Sequence, residues 1–383
     1  MDVHAQREFA AAEADMSASA DVSASADAAA IADAVTDAAA DGHRDGPAVQ
    51  PVATSARTRR VLVVGIDGVR LDLLDRVAAP RLARLRAAGF LAPVRVDAQT
   101  PTMSGPCWAT IATGVHVGKH GVWSNDFSGH RLNVFPDFAT RLARGHGRKT
   151  FVAAGWDPLV LARDGGPLFA APTRLLYVAP DAHTAEAWER VDEEVTVDAE
   201  AVLRRDPVDA AFVYLGAADE TAHLHGCGER YLTSIENADA RLGRLLDALR
   251  AREAYEQEDW TVIAVTDHGH ADEGGHGGRS DLERTAWIAA AGPDLVPGVT
   301  PSRELRHVDV AAHVFKALDL VPDRHWTFDG AHFATADAPA AGPGPVAGRA
   351  VDPVTGPVVG PRADPLASSP AGNYRAGQEA ATV

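Results

Sequence analysis

Cysteine is nearly absent from this chain. Only Cys107 and Cys227 occur among 383 residues. One disulfide is possible, but a disulfide framework of the kind that staples small secreted domains is excluded, and two thiols fit a reducing compartment. Long apolar runs are also missing. None approaches the roughly 20 residues that a membrane-spanning helix needs. The opening residues Met1-Asp2-Val3-His4-Ala5-Gln6-Arg7-Glu8 lack a basic start followed by an apolar segment, so no secretory signal is expected. A soluble, cytoplasmic protein without a membrane contact is the resulting expectation. Positive charge is scarce as well. Against 53 Asp and Glu stand 36 Lys and Arg, a formal net charge of -17. A general nucleic-acid-binding surface needs basic patches and is not expected. A small phosphate-bearing substrate stays compatible, because bound cations would dominate the local field.

Large apolar residues are almost missing from both ends. Residues 1–58 are rich in Ala, Asp and Ser, with repeats such as Ser17-Ala18-Ser19-Ala20-Asp21 and Ser23-Ala24-Ser25-Ala26-Asp27. Residues 337–383 are rich in Pro, Gly and Ala. Neither segment has enough apolar surface to offset the entropy of ordering, so both are expected to be disordered. The part between them, 59–336, alternates apolar β-rich runs with helical periodicity. Strands are expected at 60–66, 150–154, 174–178, 210–216, 260–266 and 285–291. Helices are expected at 79–88, 105–114, 183–205, 229–251 and 308–318. This alternation predicts an α/β fold, a mostly parallel central sheet flanked by helices on both faces. In such sheets the functional site lies at the carboxyl ends of the strands.

Acidic and histidine residues stand where those apolar runs stop. Asp67 closes Val61-Leu62-Val63-Val64-Gly65-Ile66. Asp219 and His223 follow Ala211-Phe212-Val213-Tyr214-Leu215. Asp267-His268 follows the run 260–266, and His276 comes shortly after, inside Gly274-Gly275-His276-Gly277-Gly278. Asp-Gly at 67–68 would also suit a simple turn. The adjacent Asp267-His268 directly after a strand is the strongest signal, and His225 ranks below its neighbour His223. Three Asp and three His suit two divalent metals with mixed N and O ligands. Thr102-Met103-Ser104-Gly105-Pro106 reads as a turn entering a helix, with Pro106 in the first turn and Ser104 at or just outside the N-cap. A hydroxyl there faces the positive end of the helix dipole, where a developing alkoxide and an anionic phosphate are both favoured. The combination is the chemistry of metal-assisted ester hydrolysis.

In order and spacing these motifs resemble the alkaline phosphatase superfamily, and most of all its type I phosphodiesterase/nucleotide pyrophosphatase family. The resemblance runs over about residues 60–335. It is carried by Gly65-Ile66-Asp67-Gly68, Thr102-Met103-Ser104-Gly105-Pro106, the stretch from Thr113-Gly114 to Gly121-Val122, Asp219-x-x-x-His223, Thr266-Asp267-His268-Gly269 and His276-Gly277. It implies two zinc ions. One would be held by Asp219, His223 and His276, the other by Asp67, Asp267 and His268, with Ser104 bridging toward the latter as nucleophile. It implies a two-step in-line displacement through a covalent phosphoseryl intermediate, on a phosphate diester or a nucleotide pyrophosphate. Asn125 matches a family Asn and is expected to be structural. Cys107 stands where an Asn that donates to the phosphoryl group is expected, which bears on substrate class.

Other readings share the scaffold. A phosphomonoesterase or phosphonate hydrolase would need an added cationic contact to phosphate, for which Lys119 is the candidate. A sulfatase would need Arg where Trp108 stands. A non-enzymatic alternative is a zinc-stabilised binding protein, although structural zinc sites are usually Cys-rich. Trp108, Trp123 and Phe127 are candidates to line the leaving-group pocket, with ordinary core packing as the competing assignment.

Overall fold

In a computed structural model the protein is described over residues 57–335 apart from residue 164. The expected disordered segments 1–58 and 337–383 therefore lie outside the described residues, except at 57–58. Seven strands form one sheet: β1 (Thr58–Ile66), β2 (Phe90–Arg95), β3 (Thr150–Ala154), β4 (Arg174–Tyr177), β5 (Ala210–Leu215), β6 (Glu258–Val265) and β7 (Thr285–Ala291). Their order is β2-β7-β6-β1-β5-β3-β4. The pairs β1–β5, β1–β6, β3–β5 and β3–β4 are parallel. Only β7 runs against its neighbours, β6 and β2. The expected mostly parallel sheet is present.

The helices are α1 (Pro80–Ala88), α2 (Ser104–Thr113), α3 (Val117–His120), α4 (Phe138–His146), α5 (Asp157–Val160), α6 (Ala185–Arg205), α7 (Ala217–His225), α8 (Glu229–Arg250), α9 (Asp281–Arg284) and α10 (Asp309–Ala317). They cover both faces of the sheet. On one side, residues of α2, α4 and α10 pack on Val61 and Val63 of β1. On the other, residues of α1, α6, α7 and α8 pack on Leu62, Val64 and Ile66. Alternate side chains of one strand thus enter two separate cores. That is why these strands read as continuous apolar runs rather than alternating ones.

The sequence expectation omitted β2. Its segment Phe90-Leu91-Ala92-Pro93-Val94-Arg95 contains a proline, which cannot donate to a ladder. The strand ends the sheet order, with the full ladder to β7 on one side and a single bridge from Val94 to Leu305 on the other, an edge position at which proline is tolerated. Helices α4 and α7 were also unassigned. The first is nine residues long with an Asp137 side-chain cap, and the second carries two of the predicted ligands.

Candidate metal centre and nucleophile

The three central strands β6, β1 and β5 are neighbours in space though not in sequence. Their carboxyl ends bring the predicted clusters together. Asp67 directly follows β1. Asp219 sits in the first turn of α7, just after β5, and His223 lies four residues on, hence on the same face. Asp267 and His268 follow β6 after one residue. Three groups of potential ligand atoms result: Asp219 with His223 and His276, Asp67 with Asp267 and His268, and Asp219 with His268 and His270. The first two are the sets expected from the sequence.

Three of the four imidazoles are oriented by a bond from Nδ1. His268 Nδ1 lies 3.1 Å from Gly269 O, His270 Nδ1 2.8 Å from Gly274 O, and His276 Nδ1 2.7 Å from Thr102 O. A carbonyl accepts only, so each Nδ1 carries the proton and each Nε2 is left with its lone pair. Those Nε2 atoms point inward. His268 Nε2 is 3.1 Å from Asp267 Oδ2 and 3.6 Å from Asp67 Oδ1. His276 Nε2 is 3.6 Å from Asp219 Oδ1 and 2.8 Å from His223 Nε2. Asp67 Oδ1, Asp219 Oδ1 and Asp267 Oδ2 are buried with no hydrogen-bond partner. Bare carboxylate oxygens and imidazole lone pairs facing one another are the donor set of a divalent cation, and the outward bonds to carbonyls are the usual support of metal-ligating histidines. The residues present therefore fit divalent cations.

Burial sets the electrostatics. Desolvation, helped by the charge of Asp219, pushes Asp67 up to about 7. Desolvation and Asp67 together push Asp267 well above the ordinary carboxylate range. Burial alone would raise Asp219 too, but the hydrogen bond from the His223 imidazole holds it well below that range. Desolvation lowers His268 and His276, which keeps them neutral. Three carboxylates in one dry site are mutually repulsive, and cations relieve that repulsion.

Asp67 is fixed from behind. Trp108 Nε1 donates to its Oδ2 at 2.8 Å and Tyr214 Oη donates to the same oxygen at 2.7 Å. Both rings are buried. On the other side, Gly68 N donates to Asp267 Oδ1 at 3.1 Å. Gly68 has φ of 65°, and a Cβ on it would lie 2.4 Å from His270 Nε2 and 2.7 Å from Asp219 Oδ1. Only glycine fits there.

Ser104 is the first residue of α2, and the N-cap is Met103. Its hydroxyl therefore is not spent on capping, as the sequence had allowed. Ser104 Oγ lies 3.5 Å from His268 Nε2, at the dipole-positive end of the helix. The rival Thr102 is fully buried and engaged elsewhere: its Oγ1 donates to Gly278 O and accepts from Gly277 N, both at 3.0 Å. Those bonds, with the one from His276 to Thr102 O, fasten the loop of His276 beside Ser104.

The structure reassigns several further residues. Trp108 and Phe127 are buried in the core, so neither lines a leaving-group pocket, whereas Trp123 is 52% exposed. Lys119 is tied to Asp329 at 2.5 Å and to Thr327 O, which takes it away from phosphate binding. Cys107 is buried with its Sγ toward Pro101 O at 3.4 Å. His225 is outside the cluster, beside Arg230. Asn125 Oδ1 accepts from Gly105 N at 2.8 Å, and a Cβ on Gly105 would lie 2.5 Å from Ser124 O, so the loop around Asn125 rests on the residue after Ser104. Three neighbours of these residues were not read from the sequence in the roles they take here, Trp108 having been a candidate for the leaving-group pocket. Tyr214 and Trp108 sit inside apolar stretches that gave no hint of a polar role, and His270 was visible only as a second histidine in Asp267-His268-Gly269-His270.

A mostly parallel sheet with Asp and His side chains and a hydroxyl gathered at its carboxyl edge is a scaffold of the alkaline phosphatase type. The family model for type I phosphodiesterase / nucleotide pyrophosphatase matches residues 61–321, and the chain belongs to that family. The mouse ectonucleotide pyrophosphatase/phosphodiesterase family member 7 is 24% identical over 245 residues, covering 58% of this chain and 52% of the relative. The chain thus spans about half the length of the curated relatives it matches. Among solved structures, murine ectonucleotide pyrophosphatase/phosphodiesterase 5 superposes with a TM-score of 0.54 at 17% identity, covering 69% of this chain and 96% of that one. An inactive form of that murine protein is solved in complex with AMP. A phosphonate monoester hydrolase of Agrobacterium radiobacter gives a TM-score of 0.51 at 17% identity, covering 74% and 78%. A 2-O GAG sulfatase gives 0.54 at 12% identity, covering 72% and 73%. These likenesses are of fold.

Proposed function

We propose that this protein hydrolyses phosphate diesters or nucleotide pyrophosphate bonds by way of a phosphoseryl intermediate on Ser104, with two zinc ions as cofactors. One ion would be held by Asp219, His223 and His276, the other by Asp67, Asp267 and His268. The observation that carries the reading is the Ser104 hydroxyl, not used as a helix cap and 3.5 Å from an imidazole whose Nε2 faces one buried, bare oxygen each of Asp67 and Asp267. A structural zinc protein has no need of such a hydroxyl.

When bound, the cations lower the pKa of the hydroxyl and neutralise charge on the phosphoryl oxygens. Ser104 Oγ attacks phosphorus, the bond from phosphorus to the leaving oxygen breaks, and the phosphoryl group resides on the serine. Water then attacks the phosphoserine and the Ser104 oxygen departs. The start of α2 favours negative charge throughout. Asn125 supplies a further donor. Its Oδ1 is held by Gly105 N–H, so its amide NH2 is free to donate beside Ser104. Asn125 thus provides what Cys107, turned into the core, does not. Trp123 is the aromatic ring left exposed near this loop, and it can stack on a nucleobase or aryl leaving group.

A substrate panel tests the reading. With zinc supplied, bis-p-nitrophenyl phosphate should turn over faster than p-nitrophenyl phosphate, p-nitrophenyl sulfate or a phenylphosphonate monoester. A clear preference for the monoester or the phosphonate would favour the neighbouring activities of the scaffold, and a preference for the sulfate would refute phosphate specificity.

A further inference from the structure

His270 belongs to neither predicted ligand set, yet it sits at the centre of the imidazole cluster. Its ring centroid lies 5.4 Å from that of His223, 5.6 Å from His268 and 5.1 Å from His276. It is completely buried. Its Nδ1–H is used by Gly274 O at 2.8 Å, so the lone pair is on Nε2. That nitrogen faces Asp219 Oδ1 at 2.9 Å, and neither atom has a hydrogen-bond partner. Two acceptors at this distance repel unless a positive centre joins them. The same pair of atoms crowds Gly68, where no side chain would fit. The backbone is thus shaped to let the imidazole and the carboxylate meet.

We propose that His270 is an additional ligand to the cation at Asp219, where its ring nitrogen lies together with the ligand atoms of Asp219 and His268, so that the Asp219 side of the cluster, with His223 and His276, is rich in imidazole while the Asp67 side is rich in carboxylate. The inference rests on the two-cation reading above and makes the two sites chemically unequal. Nitrogen ligands favour zinc over magnesium, calcium or manganese, whereas carboxylates are less selective. The Asp219 site is therefore the tighter and more zinc-selective of the pair.

The test uses the full chain stripped of metal and titrated with zinc against a chromophoric chelator, for the wild type, His270→Ala, His270→Gln and the control His225→Ala. Zinc-edge X-ray absorption of the loaded proteins counts imidazole ligands. The expected result is two zinc equivalents for the wild type. In both His270 variants one equivalent should weaken by at least about 10- to 100-fold, the loss typical of disturbing a metal site's ligand support, and imidazole scattering should fall. The control should match the wild type. Far-UV circular dichroism of the metal-free variants identifies any that fail to fold, and the less disruptive Gln variant keeps the comparison available. Two tight equivalents and an unchanged imidazole count in the His270 variants would overturn the assignment and leave the two-cation reading intact. Weakened binding with an unchanged imidazole count would make His270 a positioning residue for Asp219, which also overturns it. A wild type that binds no divalent metal would overturn both readings.

Discussion

Replacing Tyr214 by Phe removes one hydroxyl and little else. The ring keeps its edge contact with Trp108, centroids 5.6 Å apart, and its stacking on Trp156 at 6.5 Å. What is lost is the 2.7 Å bond to Asp67 Oδ2. A hydrogen bond to a charged group contributes about 1.5–3 kcal/mol, and one pKa unit corresponds to about 1.4 kcal/mol. The carboxyl of Asp67, already pushed up to about 7 by burial, should rise by a further one to two units, roughly. Protons and a cation compete for this carboxylate, so affinity rises with pH until Asp67 is fully ionised. At pH 7 the ionised fraction would fall from about a half to about 1–10 per cent, weakening metal binding about 5- to 50-fold. Near pH 10 the variant and the wild type should converge, because the proton no longer competes in either. Calorimetric zinc titration of metal-free protein across pH 6–10, in a chelating buffer of known affinity, measures this directly. Equal affinity at pH 7 would show that the hydroxyl does not support the charged form of Asp67. A deficit that persists undiminished at pH 10 would show that the ring positions the carboxylate, and that the charge argument is wrong.

Three other outcomes are expected. Ser104→Ala should lower diester hydrolysis by several orders of magnitude, as loss of one member of a covalent mechanism does, while zinc content is retained. Acid quench and mass spectrometry should find the phosphoryl group on Ser104 of the wild type, and an adduct on Thr102 would refute the assignment. Asn125→Ala should reduce kcat by about 10²–10³-fold, the usual loss of one donor to a developing oxyanion, with the fold intact by circular dichroism. An unaltered kcat would return Asn125 to a purely structural role. Protein purified without chelators should carry two zinc equivalents and lose activity when they are removed, regaining it with zinc. A single calcium, or full activity without metal, would sink the two-zinc scheme.

Much of this protein was legible in its residue order. Continuous apolar runs such as 61–66 and 210–215 identify strands buried on both faces, because a polar face would have forced alternation. Helical spacing in 229–251 does the same for α8. The Asp and His residues that close the runs could be named as ligands, since a carboxylate or imidazole after a buried strand emerges at the sheet edge. What the sequence could not supply was adjacency. Nothing in the order of β1, β5 and β6 says that they lie side by side, and only that arrangement brings Asp67, Asp219 and Asp267 into one dry site. Edge strand β2 was hidden by Pro93, whose effect depends on where in the sheet it falls. Tyr214 reads as a core residue and Trp108 as either a core or a pocket residue; both are core residues, and long-range packing aims their polar atoms at Asp67. The sequence by itself determined the elements and the chemical inventory, because both follow from local pattern. The tertiary structure decided which oxygens stay bare, which imidazole nitrogens turn inward, and that the Ser104 hydroxyl faces His268, because each depends on partners far away along the chain.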